Sequence, residues 1–172
     1  MGWNIGDTFP FCLLPETFQT SMESSEIPID REKFAGKWFE VARKPTSFQG
    51  GCVCSDSDFD LTKDKSELYI NNKCYKTDGK QSVTGAKAKF TNEENTKLRI
   101  DTELPIKGHF WVLDRDPNYQ WALVGEPCKN FLWVFSRNKN IDDKALDARI
   151  QKAKDLGYNV DDIVYRPDIE IC

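Results

Sequence analysis

The sequence contains a single histidine, His109, and no pair of cysteines with the two-residue spacing of common zinc and redox motifs. It also lacks the Gly-x-Ser-x-Gly turn that presents the nucleophile of many hydrolases, and its apolar runs are far too short to cross a bilayer. Basic residues number 24 and acidic residues 28, which gives a net charge of −4 and no basic field for nucleic acid. We therefore expect no metal, no cofactor, no nucleic-acid partner, no transmembrane segment and no catalytic residue.

The chain does contain six cysteines. Without histidine partners or zinc spacing, they favour three disulfides over free thiols or a metal site. Disulfides predict an oxidising compartment, so we expect a secreted protein, with the periplasm or an organelle lumen as alternatives. The first residues hold neither a basic segment nor a long apolar core, which indicates a mature form without its signal peptide.

With 172 residues, of which 39% are apolar, the chain is expected to form one globular domain. Residues 1–30 have no regular period and are interpreted as an extended arm held down by Cys12. From residue 37 onward, short alternating runs separated by turn residues indicate an all-β domain. Eight strands are predicted, at 38–44, 53–62, 66–76, 82–91, 96–102, 108–115, 119–126 and 131–137. An antiparallel up-and-down β-barrel is favoured because closure removes exposed strand edges.

The two-residue period of a strand assigns inward and outward faces. In 53–61, Ser55, Ser57 and Phe59 share one face, and the aspartates share the other, which we place outside. Ala86 and Ala88 are also assigned inward. Such small inward side chains leave volume for a ligand, although aromatic side chains from other strands would be an alternative filling.

The last predicted strand is apolar on both faces, so its outer face needs a cover. Asp142 or Asp143 is suited to begin a helix that ends at Gly157. An apolar stripe along this helix, about 142–156, would pack on the barrel wall. The stripe consists of Leu146, Ile150, Ala153 and Leu156. An extended segment, 160–172, is expected to follow.

Three blocks of sequence resemble the lipocalin family, particularly bacterial lipocalins and apolipoprotein D. The first contains Gly36-Lys37-Trp38 before an apolar strand, and the third is an aromatic strand ending in Phe135-Ser136-Arg137. Between them, 113–125 is similar to the family's second conserved region and includes Asp116, although it departs from the strict Thr-Asp-Tyr wording. The resemblance implies an eight-stranded barrel with one C-terminal helix, closed at one end by Trp38 and Arg137.

The resemblance also implies a disulfide pattern. It joins Cys12 to Cys128, and Cys54, or in second place Cys52, to Cys172. Cys52 and Cys74 remain, and the Cys-Val-Cys motif with a later cysteine is similar to plastid lipocalins of plants. The register of the hairpin formed by the second and third strands brings Cys74 within reach of 52–55.

A lipocalin is expected to carry a small hydrophobic ligand, and the apolar walls with a few polar groups suit a fatty acid, retinoid, sterol or carotenoid. We expect a monomer or weak homodimer. Two rivals are a lipocalin-fold isomerase or de-epoxidase, for which no convincing inward carboxylate is found, and a protein-binding module with a filled barrel. His109 is interpreted as rim surface, and Phe110 and Trp111 compete for the inward face. The predicted ligand-binding residues are Phe48, Ser57, Phe59, Ile70, Asn72, Ala88, Phe90, Phe110 and Val112.

Overall fold

The structure is a computed structural model that describes residues 27–46, 49–101 and 108–172. These residues form nine strands and two helices. The helices are α1 (Arg31–Phe34) and α2 (Asp143–Asp155). The strands are β1 (Gly36–Arg43), β2 (Cys54–Leu61), β3 (Glu67–Tyr75), β4 (Gln81–Phe90), β5 (Lys97–Ile100), β6 (Gly108–Arg115), β7 (Trp121–Gly125), β8 (Leu132–Ser136) and β9 (Val164–Tyr165).

The first eight strands close into an antiparallel barrel. Each strand pairs with the next in the chain, and β1 pairs with both β2 and β8, so the sheet has no free edge between them. The predicted fold class is therefore confirmed. The strand order follows from short connections between neighbours, which favour antiparallel pairing.

The barrel separates two apolar layers. One fills its interior and contains Phe59, Phe110 and Phe135. The other lies outside, between the barrel wall and α2, and contains Trp111, Leu132 and Val134. The competition on β6 is thus resolved, with Phe110 inside and Trp111 outside.

Helix α2 covers the outer face of the barrel, as the apolar stripe predicts. The carboxylate of Asp142 accepts a hydrogen bond from the Ala145 N–H, and Leu156 ends the helix. Gly157 follows with a φ of +94°, a backbone conformation that favours glycine. All four residues of the stripe lie in the outer layer or pack against it: Leu146, Ile150, Ala153 and Leu156.

A bulge in β1 changes which side chains face the interior. Glu40 lies opposite Phe135, whereas Ala42 lies opposite Val134, so β1 has one extra residue at this point. Val41 and Ala42 both belong to the outer layer. Beyond the bulge, the strand resumes with Arg43 opposite Trp133 on the inner face.

The C-terminal segment is fastened along the outside of β1 and β2. β9 pairs with Ala42 and Arg43, and the guanidinium of Arg166 donates to the carbonyl of Ser55 and to the carboxylate of Asp56, both at 2.9 Å. Asp56 is on the outer face, as predicted, but only 5% of its surface is exposed because this segment covers it.

Candidate functional site

One end of the barrel is closed by Trp38. Its indole is fully buried and donates from Nε1 to the Phe34 carbonyl at 2.9 Å. The guanidinium of Arg137 lies 3.7 Å from the centre of the indole ring and donates to carbonyls of 33, 35, 37 and 119. This arrangement keeps the charge partnered by ring and carbonyls while it seals the end. We call it the closed end.

Asp116 holds a tight turn at this same end. Its carboxylate accepts hydrogen bonds from the N–H groups of Asn118 and Gln120. Tyr119, within the turn, has a φ of 57° and buries its ring in the interior layer. Its hydroxyl accepts a hydrogen bond from the Asp30 N–H at 2.9 Å. The turn explains why β7 begins at Trp121, two residues later than predicted.

Nearer the opposite end, a cavity lies inside the barrel. The centre of a water molecule can occupy about 20 Å³ of this cavity. All the space that atoms leave unfilled amounts to about 370 Å³, and part of that space is open to solvent. The first volume is room for about one water molecule. Its lining is largely apolar and comes from β3, β5, β6 and β8: Ile70, Asn72, Ile100, His109, Phe110, Trp133 and Phe135.

Five of the predicted ligand-binding residues line this cavity or contact a residue that lines it. Ile70, Asn72 and Phe110 line it, and the Ser57 hydroxyl donates to the Asn72 side-chain oxygen at 2.5 Å. Phe59 packs edge-on against Phe110, 5.5 Å between ring centres.

The remaining predicted residues lie further from it. Ala88 and Val112 are fully buried in the interior layer. Phe90 is partly buried under the guanidinium of Arg31, toward the closed end. Phe48 lies outside the described residues.

A buried polar cluster adjoins the cavity wall. The Arg43 Nε lies 3.0 Å from one carboxylate oxygen of Glu40, and the Gln49 amide donates to the other at 2.9 Å. The same amide is 3.4 Å from the Ser55 hydroxyl, and the Trp133 indole N–H donates to the Gln49 side-chain oxygen at 3.5 Å. We call Glu40, Arg43 and Gln49 the inner polar cluster.

Burial has a large effect on the carboxyl of Glu40. Loss of water around it raises its pKa to about 7, against an ordinary value of 4.5. Arg43, the Gln49 hydrogen bond and Arg166 each act to lower that pKa, and the Asp56 charge acts to raise it, but desolvation is the largest effect. The inner polar cluster therefore changes charge near neutral pH.

The sequence-based expectation that no carboxylate faces the interior is wrong. Glu40 lies two residues after Trp38, so the two-residue period of β1 places both side chains on the same face. Arg43 is different, because a strict two-residue period assigns it to the outer face. The bulge between Glu40 and Ala42 turns it inward, and nothing in the sequence marks that bulge. Trp133 and Phe135 also line the cavity, but neither is among the predicted ligand-binding residues.

Two disulfides join described residues, Cys52–Cys74 and Cys54–Cys172. These are the pairings that the resemblance implies, with Cys54 rather than Cys52 bonded to the C-terminus. Cys128 is disulfide-bonded as well, but its expected partner Cys12 lies outside the described residues. Within the described part of the chain, no cluster of three or more histidine, cysteine or acidic side chains is arranged to hold a metal ion. No helix among those residues is both long and apolar enough to cross a membrane.

An eight-stranded barrel with one end sealed by tryptophan and arginine defines a lipocalin-type architecture. A family profile described as a lipocalin-like domain matches residues 29–168, so the chain belongs to the lipocalin family. Members of this family generally bind small hydrophobic ligands.

The chain is similar to curated proteins from plants and bacteria. It is 30% identical over 142 residues to temperature-induced lipocalin-1 of Arabidopsis thaliana, covering 75% of this chain and 74% of that protein. It is 28% identical over 138 residues to the outer membrane lipoprotein Blc of Escherichia coli K12, covering 79% and 77%.

Solved structures support the fold alone. Lobster apocrustacyanin A1 superposes with a TM-score of 0.62 at 17% identity, covering 79% of this chain and 78% of that one. Insecticyanin of the tobacco hornworm Manduca sexta has the same TM-score at 13% identity, covering 87% and 88%.

Proposed function

We propose that the protein binds a small, largely apolar molecule in its barrel and does not convert it chemically. The observation that carries this proposal is the interior cavity, which combines aromatic and aliphatic walls with the polar side chain of Asn72. Burial of apolar ligand surface supplies the driving force, and a few polar groups fix the ligand's orientation. Fatty acids, retinoids, sterols and carotenoids all fit that description.

Binding requires side chains of the cavity wall to move. The cavity in its present state has room for about one water molecule, so a hydrocarbon ligand must displace aromatic rings such as those of Phe110 and Trp133. Rotation of these rings about their χ angles is the least costly route, because the closed barrel holds the backbone.

The first test is a titration of lipid-stripped protein, followed by tryptophan fluorescence, with one ligand from each of the four classes. Trp133 lines the cavity, so occupancy changes its surroundings. We expect saturable binding at micromolar or tighter affinity for at least one class. Absence of saturable binding across all four would contradict the proposal.

A pair of variants on one strand locates the binding site. Ile70 lines the cavity, whereas the neighbouring Tyr69 is 42% exposed on the outer face of β3. Ile70→Trp fills the cavity and is expected to weaken binding at least about tenfold. Tyr69→Trp adds the same side chain outside and should leave affinity unchanged. Calorimetry is the suitable readout, since each variant alters the fluorescence.

The filled barrel is the second candidate function, and the small size of the cavity favours it. In that case the protein would act through its outer surface, and Ile70→Trp would overpack the interior and lower stability without changing partner binding. The disulfides are relevant to both candidates. They support a location in an oxidising compartment outside the cytosol, as the family's outer membrane lipoproteins also suggest.

A further inference from the structure

The inner polar cluster is placed where a ligand's head group would lie. Arg43 is opposite Trp133 and Glu40 is opposite Phe135, and both aromatic residues line the cavity. Residues that face each other across paired strands project from the same side of the sheet. Both charged side chains are buried, at 9% and 6% exposure. An apolar tail in the cavity would therefore end beside this ion pair.

The two members of the pair differ in their remaining hydrogen-bonding capacity. Both carboxylate oxygens of Glu40 are engaged, one by Arg43 and one by Gln49. Among the described residues, the guanidinium of Arg43 has Glu40 as its ion-pair partner, with its Nε 3.0 Å from one carboxylate oxygen. A guanidinium has five N–H donors in a planar fork that fits an oxyacid. The hydrogen-bonding capacity that remains unused at this site therefore consists of N–H donors of the Arg43 guanidinium.

We propose that Arg43 binds the acidic head group of an amphiphilic ligand, and that Glu40 is an internal competitor for the same guanidinium. This inference rests on the proposed function and names the ligand chemistry: an apolar chain with a carboxylate, phosphate or related oxyacid at one end. The ligand replaces Glu40 as the counter-charge of Arg43. Gln49 keeps its contact with Ser55 during the exchange.

The exchange is coupled to the uptake of a proton by Glu40. Two anions cannot share one buried guanidinium without a large electrostatic cost, so Glu40 takes up a proton when the ligand binds. The charged groups that act on Glu40 are Arg43 on its own strand, Asp56 on β2 and Arg166 on the C-terminal segment. A carboxyl with a pKa of about 7 accepts that proton readily below neutral pH. Acidic ligands should bind more tightly at pH 6 than at pH 8.

Two probes with one chain length test this in the wild-type protein. Decane-1-sulfonate keeps its charge at both pH values, and 1-decanol has none. Protonated Glu40 falls from about nine tenths to about one tenth of the molecules between pH 6 and pH 8, so we expect sulfonate binding to weaken about tenfold. Decanol affinity should change less than twofold. Equal pH profiles for the two probes would overturn the inference.

Variants then assign the effect to the two residues. Arg43→Gln should weaken sulfonate binding at least about tenfold at pH 6 and weaken decanol binding far less. Lys44→Gln is the matched control, because Lys44 is also a buried cation but pairs with Asp162, away from the cavity. Glu40→Gln should bind sulfonate tightly at both pH values. If Arg43→Gln does not fold, the double variant Glu40→Gln/Arg43→Gln removes both charges and should bind only decanol.

The outcomes separate this inference from the proposed function. Decanol binding without any preference for sulfonate would overturn the role of Arg43 and leave ligand binding standing. Failure of both probes would contradict ligand binding itself, and the inference with it. Decanoate and decyl phosphate, titrated at pH 6, distinguish the two natural sources of an acidic head group, and binding of either one supports the inference.

Discussion

At the closed end, the single side chain of Arg137 binds several backbone carbonyls and one aromatic ring. The guanidinium of Arg137 donates hydrogen bonds to the carbonyls of 33, 35 and 37 in one segment of the closed end and of 119 in another. Its contact with Trp38 adds a cation–π interaction.

Arg137→Gln is expected to lower the free energy of unfolding by about 2–3 kcal/mol, since it removes charged hydrogen bonds to several carbonyls. Arg149→Gln is the matched control, because Arg149 also lies 3.7 Å from the centre of a tryptophan ring, that of Trp121. That control should lose less than about 1 kcal/mol. Urea denaturation of both variants measures the difference, and equal losses would contradict the role given to the carbonyls.

Glu40 makes stability depend on pH. An acid whose pKa is higher in the folded chain binds more protons when folded, so stability falls as pH rises. Here the fall should begin near pH 4.5 and end about one unit above pH 7. Its size is on the order of 3 kcal/mol. Urea denaturation from pH 5 to pH 8 should show this fall in the wild type, and Glu40→Gln should lack it. A wild-type stability that does not fall relative to that of Glu40→Gln, or that rises, would contradict the expectation.

Individual residues differ in how well the sequence predicts their positions. Trp38 and Arg137 stand in short motifs whose roles follow from the family resemblance. Ile70 and Asn72 lie two residues apart on a straight strand, where alternation holds, whereas alternation on the strand 108–115 leaves Phe110 and Trp111 as competitors for the inward face. Arg43 was missed because its orientation depends on a one-residue bulge, a tertiary feature that arises where β1 passes from pairing with β2 to pairing with β9.

Among the elements, the C-terminal segment 164–172 behaves as a strap over β1 and β2. It is fastened by the Cys54–Cys172 disulfide and by the contacts of Arg166 with Ser55 and Asp56. Lys44 adds a salt bridge of 2.7 Å to Asp162 just before the strap begins. The strap is what buries Asp56, so the acidic outer face of β2 and the strap stabilise each other.

The two described disulfides should contribute unequally to stability. Cys54–Cys172 closes a separation of 118 residues and Cys52–Cys74 one of 22. Chain entropy predicts losses of about 5 and about 3 kcal/mol when each pair is replaced by alanine. Guanidinium denaturation under non-reducing conditions measures both, and a greater loss for the Cys52–Cys74 pair would contradict the expectation.

The elements themselves were largely predictable. All eight barrel strands and the covering helix follow from the hydrophobic period, with no end displaced by more than two residues. β9 and α1 were not predicted, because two and four residues are too few to show a period. β9 exists because β1 offers it an edge where β2 diverges, and α1 begins at the carboxylate of Asp30, which accepts two backbone N–H groups.

At the scale of the whole molecule, ligand binding and folding are linked. Any ligand that binds only the folded barrel raises the free energy of unfolding, by about 2.7 kcal/mol at a concentration one hundred times its Kd. We expect 1-decanol to raise the midpoint of thermal unfolding of the wild type and to leave that of Ile70→Trp unchanged. An equal rise in both would place the binding outside the cavity.

The long disulfide makes most of the protein a covalent ring. Its bond joins Cys54 to the last residue, Cys172, so β2 through β9 and the covering helix all lie on one closed loop of chain, and β1 alone among the barrel strands lies outside it. A single protease cut between 54 and 172 opens the ring without releasing a fragment. The nicked chain keeps its mass, apart from the water added, until a reductant separates the two pieces.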